Sequence, residues 1–130
     1  MVMHPADIDA SHLMLLEEGH CLSDQALEVC GMDRSGSGIN MGASSLGTLS
    51  RLVAEGFGLT LMPELAARAE MAAAPGLRLR RFCAPEPFRT IGIVCRQSTP
   101  VGGWFDDLAA VLRDVGQGIT ARSRTDFGPG

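Results

Sequence analysis

Apolar positions along the chain come in short bursts, and their spacing alternates between sheet-like runs and helical periods. Leu13-Met14-Leu15-Leu16 is a continuous apolar run stopped by Glu17-Glu18-Gly19, as expected of a strand buried within an α/β sheet. Leu22, Ala26, Val29 and Cys30 then recur on one helical face. That predicts a helix over 22–30, with Ser23 or Asp24 capping or charging its first turn and Gly31 ending it. Residues Met32–Gly38, rich in Gly, Ser and Asp, read as an exposed loop. Ile39–Ala43 reads as a strand, and Ser44 or Ser45 caps a second helix whose apolar face is Leu46, Leu49, Leu52 and Val53. Leu59–Met62 predicts a strand closed by Pro63, and Glu64–Ala74 an alanine-rich helix ending at Pro75-Gly76. Leu77–Phe82 and Thr90–Arg96 are two further expected strands, and Trp104–Val115 is an amphipathic helix. Gly116–Gly130 lacks periodicity and reads as a disordered tail.

Strands alternating with helices imply an α/β fold with a largely parallel sheet. Between the last two expected strands lies Pro85-Glu86-Pro87, a stiff crossing, because each proline fixes its own φ and restricts its predecessor. A chain that opens on a strand and ends on a strand and helix beyond such a crossing has the pattern of the second half of a two-lobed domain. Its 130 residues suffice for one core and hardly for two.

Composition narrows the functional classes. The net charge is −4 and all eleven basic residues are arginine, so the chain has no basic face for nucleic acid. Its one basic cluster, Arg78-Leu79-Arg80-Arg81, alternates with leucine as a solvated strand face would. Residues 45–63 resemble the start of a helix-turn-helix, but Gly56–Pro63 is rich in β-formers and ends in proline, which leaves no place for a recognition helix. No apolar stretch approaches membrane-spanning length and the N-terminus has no signal-peptide pattern, so a cytoplasmic location is expected. Four cysteines in such a chain do not read as a structural disulfide framework, and Cys83 and Cys95 are expected to be buried inert thiols.

Cys21 and Cys30 differ from the other two in their setting. If 22–30 is helical, nine residues rise roughly 13–14 Å and turn about 900°, placing the two side chains at opposite ends and on opposite faces. A disulfide needs Cα atoms within about 7 Å, so the pair can join only if the helix unwinds. Gly19 on one side, and Gly31, Gly36 and Gly38 on the other, ease such remodelling, and a helix this short gains little from propensity alone. Cys21 follows His20 at the expected helix N-terminus, where the dipole favours a thiolate, so it is the candidate for first attack by an oxidant. Spacing alone also fits two core cysteines on a short helix. A zinc site from His20, Cys21, Cys30 and Cys83 or Cys95 is disfavoured: the adjacent His20 and Cys21 cannot easily share one tetrahedral ion, and there is no C-x₂₋₄-C pair.

The residues around the pair carry a resemblance. Glu17-Glu18-Gly19-His20-Cys21-Leu22, Asp24-Gln25-Ala26 and Cys30 resemble the redox segment of the OxyR family, the hydrogen-peroxide-sensing LysR-type transcription regulators. Ala43-Ser44-Ser45-Leu46, Gly58-Leu59-Thr60-Leu61-Met62-Pro63, and Pro85-Glu86-Pro87 leading into Arg89-Thr90-Ile91-Gly92-Ile93-Val94 match in the same order. The likeness covers residues 8–113. It implies a periplasmic-binding-protein-like (type 2) effector domain, with residues 1–87 as its second lobe and 88–115 as the strand and helix returning to the first. It also implies that Cys21 reacts with peroxide and Cys30 closes a reversible disulfide, with His20, Asp24 and Arg89 around the peroxide. The expected partners are hydrogen peroxide, a thiol reductant of glutaredoxin or thioredoxin type, and a second copy of the chain. No cofactor, metal or enzymatic turnover is implied. DNA is reached only through a helix-turn-helix domain that this chain lacks, so a fragment of a longer regulator is expected, without the threonines that the first lobe lends to the pocket. The alternative is a small-molecule-binding effector domain of an ordinary LysR-type regulator in which the cysteines are incidental.

Overall fold

The computed structural model describes residues 2–33 and 39–128 of the chain. Its centre is β1 (Met14–Leu16), whose three residues are all buried because both faces are covered. β2 (Ile39–Ala43) lies parallel to it, pairing Met14 with Ile39 and Leu16 with Ala43 across an irregular register. On the other edge Leu59 bridges Leu13 in parallel: Met14 N–H donates to Leu59 O at 2.8 Å and Leu59 N–H to His12 O at 2.9 Å. All these pairings run the same way, as helical crossovers require.

Helices supply the cover. α1 (Cys21–Cys30) and α2 (Leu46–Ala54) follow β1 and β2, and α3 (Glu64–Ala73) follows the Leu59 edge. Ser45, not Ser44, caps α2 by accepting from Thr48 N–H at 3.3 Å. Two apolar clusters result. One gathers Ile8, Leu13, Leu15, Ala26 and Leu27 beneath α1, and the other gathers Met14, Leu16, Ala43 and Leu49 beneath α2.

The expected strands after α2 are corrected. Leu59–Met62 contributes one bridge rather than a strand, and Leu77–Phe82 likewise makes a single bridge, Phe82 to Met3, with Met3 N–H on Arg81 O and Cys83 N–H on Met3 O. Thr90–Arg96 forms no ladder among the described residues and is exposed throughout. Alternating β-formers supply propensity, but a strand exists only where another backbone accepts its hydrogen bonds. Without a strand at 78–81, the arginine cluster divides. Arg78 and Arg80 are solvated, whereas Arg81 is largely covered and bound to carboxylates.

The disordered tail is corrected as well. α4 spans Gly103–Phe127, so residues 116–127 continue the helix expected to end at Val115, and 129–130 lie outside the described residues. Apolar periodicity was the wrong guide because polar contacts hold this half. Arg68 of α3 pairs with Asp126 at 2.7 Å, Arg124 reaches Glu64 at 3.4 Å, and Ser123, beside Arg124 in sequence, is buried. The expected loop at Met32–Gly38 falls mostly on 34–38, outside the described residues.

Candidate functional site

The site is α1 and its two ends. Glu17–His20 forms a turn in which His20 N–H donates to Glu17 O at 3.3 Å and Gly19 takes φ 94°, a left-handed conformation that disfavours a side chain. His20 is the N-cap residue, in extended backbone, and its side chain does not cap. The next residue, Cys21, is the first of the helix and is exposed. It therefore sits at the positive end of the helix dipole, open to a soluble oxidant.

Ser23 is not a cap. It is buried one turn in, and its Oγ–H donates to Leu16 O at 3.1 Å, tying the start of α1 to the end of β1. Asp24 lies in the first turn on the exposed side, where its charge complements the dipole. Ala26 and Leu27 bury the opposite face in the core.

At the far end Gly31 closes the helix at φ 63°, ψ 36°. Gly31 N–H donates to Glu28 O at 3.1 Å and Met32 N–H to Leu27 O at 2.9 Å, the paired bonds of a Schellman cap. Cys30 is half-buried there, against the cluster that includes Met3, Met32 and Phe82. Burial pushes its thiol pKa above the ordinary cysteine value.

The two cysteines thus occupy the first and last positions of one ten-residue helix, both as free thiols. Their separation along the axis is roughly 13–14 Å, twice what a disulfide bridges. His20, Cys21 and Asp24 lie together at the N-terminal end. Arg89 is exposed on the segment beyond the proline crossing, and its neighbour contacts the helix: Gln25 Nε2–H donates to Phe88 O at 3.4 Å. Sequence reasoning gave no role to that contact or to the Ser23 bond. Ser23 was expected at the cap, and residue type alone names neither its burial nor its acceptor. Cys83 is half-buried as its surroundings suggested, but Cys95 is exposed with the rest of 88–98, against expectation.

A crevice between α1, β1 and α2, lined by Leu15, Leu22, Ser23, Leu49 and Leu61 among others, has no room for a water molecule. Among the described residues no three His, Cys, Asp or Glu side chains gather as metal ligands. No described helix is long and apolar enough to cross a membrane.

Comparison with known proteins bears on this geometry. The model of the LysR substrate binding domain matches residues 2–117. The HTH-type transcriptional regulator EstR of Acinetobacter baylyi is 38% identical over 109 residues, 84% of this chain and 36% of that protein. A hydrogen peroxide-inducible genes activator of Pectobacterium carotovorum is 37% identical over 113 residues, 87% of this chain and 37% of that protein. The DNA-binding transcriptional dual regulator OxyR of Escherichia coli K12 is 39% identical over 108 residues, 83% of this chain and 35% of that protein. The chain spans about a third of the length of these relatives. No solved structure gives a significant match.

Proposed function

The chain belongs to the LysR substrate-binding-domain family, and on that premise we propose that it is a peroxide-sensing regulatory module, not an enzyme, whose switch is a reversible Cys21–Cys30 disulfide. The observation that carries the reading is the placement of two free thiols at the two ends of one helix that must unwind before they can meet. Relatives named as hydrogen peroxide-inducible genes activators support the choice of oxidant.

The chemistry follows from the two environments. The Cys21 thiolate attacks one peroxide oxygen, the O–O bond breaks, and hydroxide leaves to become water, giving a sulfenic acid on Cys21. Cys30, once α1 unwinds, attacks the Cys21 sulfur. The S–S bond forms, the S–O bond breaks, and the Cys30 proton leaves with the hydroxyl as a second water. Two thiols have then given two electrons to one peroxide. A dithiol reductant of glutaredoxin or thioredoxin type restores both thiols and is itself oxidised. His20, Asp24 and Arg89 are the polar groups assigned to the peroxide, Arg89 as a donor to its oxygens and a countercharge to the thiolate.

On the same reading residues 1–87 form the second lobe of the effector domain, and 88–115 carry the chain toward the first. The exposed apolar residues of that segment support this assignment. A second copy is a partner of this module, and DNA enters only through a helix-turn-helix domain beyond these 130 residues.

Stoichiometric peroxide added to the folded chain should produce an intramolecular Cys21–Cys30 link, seen as a cross-linked peptide pair by mass spectrometry. Both thiols remaining free would defeat the reading, and would favour an effector domain that binds a small organic ligand instead.

A further inference from the structure

We propose that Gln25 is a positioning residue that ties the redox helix to the crossover, seating the Phe88–Arg89 step beside the Cys21 face of α1 and releasing it when α1 unwinds. The inference rests on the cysteine-switch reading above. Gln25 Nε2–H donates to Phe88 O at 3.4 Å across 63 positions of chain. Gln25 follows Cys21 by four residues, so the two side chains are neighbours on one helical face, while Cys30 lies on the other.

The contact sits where the chain leaves the core. Glu86 and Pro87 are half-buried, and every residue from 88 to 98 is exposed. Just before it, Glu86 is clamped by Arg81, whose Nε and a terminal nitrogen donate to its two carboxylate oxygens at 2.8 Å each. The crossover is therefore pinned twice: on its entry side by an ion pair indifferent to redox state, and at Phe88 by a helix that oxidation must dismantle. Gln25 lies between the two cysteines, so closing a Cys21–Cys30 loop removes it from its helical position. The freed segment carries Arg89 together with the exposed apolar residues Phe88, Ile91 and Val94. Loss of one hydrogen bond thus carries a change in the redox helix to a separate segment of the surface.

The test is cleavage after Arg89 by an arginine-specific protease, scored by mass spectrometry against cleavage after Arg96, which lies on the same exposed segment but away from the bond. In the reduced chain Gln25→Met keeps side-chain length and helix propensity but has no donor. It should raise the Arg89/Arg96 ratio about five-fold, the factor one net hydrogen bond is worth. Gln25→Lys retains a donor and should keep the wild-type ratio. Wild-type protein oxidised by peroxide should reach the ratio of reduced Gln25→Met. An unchanged ratio in Gln25→Met overturns the proposal, and so does a wild-type chain that forms the disulfide without any rise. A chain that forms no disulfide overturns the switch reading and the release step with it, leaving the Met and Lys comparison in the reduced state to judge the grip itself.

Discussion

Cys21 and Cys30 belong to the same helix but meet different solvents, and the difference is testable by pH. Cys30 is half-buried, and burial penalises its thiolate and raises its pKa. Because the neutral thiol is the form the fold favours, this contribution to stability is complete below the unfolded thiol pKa and is lost as pH rises through the higher folded value. Peptide-resolved alkylation with iodoacetamide should therefore label exposed Cys21 well before Cys30 at pH 7–8. The Cys30 rate should climb only at more alkaline pH, and urea should erase the difference. Equal rates at neutral pH would mean that the Schellman end of α1 opens freely in the reduced state. The places of the two cysteines at the start and end of a helix were legible in the sequence, because a helix start after Gly19-His20 and an apolar period ending on Cys30 can be read from residue types; which of them is exposed was not. The partner of Ser23 was not, because Leu16 O becomes available only once β1 and α1 are packed.

At the scale of elements, what holds α1 opposes the disulfide. Ser23→Ala removes the bond to Leu16 O and leaves a buried carbonyl short of a donor, which should destabilise the reduced helix by about 1–3 kcal/mol. Destabilising the reduced form favours the disulfide, so the midpoint potential should move to more negative values by roughly 20–60 mV. Equilibration with a dithiol buffer measures it, and an unmoved potential would show that the switch does not unwind the first turn. A second element contact runs through Arg81, which joins Glu64 of α3 to Glu86 of the crossing. The Arg81 hydrogen bonds hold the Glu86 carboxyl below its ordinary range. That stabilisation is present above the unfolded pKa and is lost as pH falls through the lower folded one. Arg81→Met should cost about 1–2 kcal/mol near pH 7, between exposed-pair and buried-pair values, and the gap from wild type should shrink below about pH 4. Urea midpoints at the two pH values decide it. These contacts also explain which elements the sequence concealed. α1, α2 and α3 carry their boundaries in caps, periodicity and proline, whereas residues 116–127 are tied by ion pairs to α3, and the strand pattern of 90–96 finds no neighbour to pair with among the described residues.

The whole molecule is lopsided. Its two apolar clusters lie around β1, while the segment from Phe88 through the first half of α4 presents Ile91, Val94, Trp104, Leu108, Val111, Leu112 and Val115 to solvent. Trp104, Leu108, Val111, Leu112 and Val115 follow helical spacing on one stripe of α4, so this surface is continuous and not a scatter of single apolar side chains. The sequence showed the amphipathic period of 104–115, but a period announces only that a face wants cover. Here the cover is missing among the described residues, since α3 meets the C-terminal half of α4 through Glu64–Arg124 and Arg68–Asp126 and leaves the apolar first half exposed. A net charge of −4 on 130 residues opposes association weakly, and salt screens it further. The isolated chain should therefore associate with rising concentration, and should bind a hydrophobic dye in the folded state. Val111→Asp with Val115→Asp places two charges in the middle of the stripe without touching the buried clusters. In sedimentation velocity this double variant should remain monomeric at concentrations where wild type self-associates, with unchanged circular dichroism. If the variant associates as wild type does, the α4 stripe is not the surface responsible, and the exposed residues of 88–96 become the next to charge.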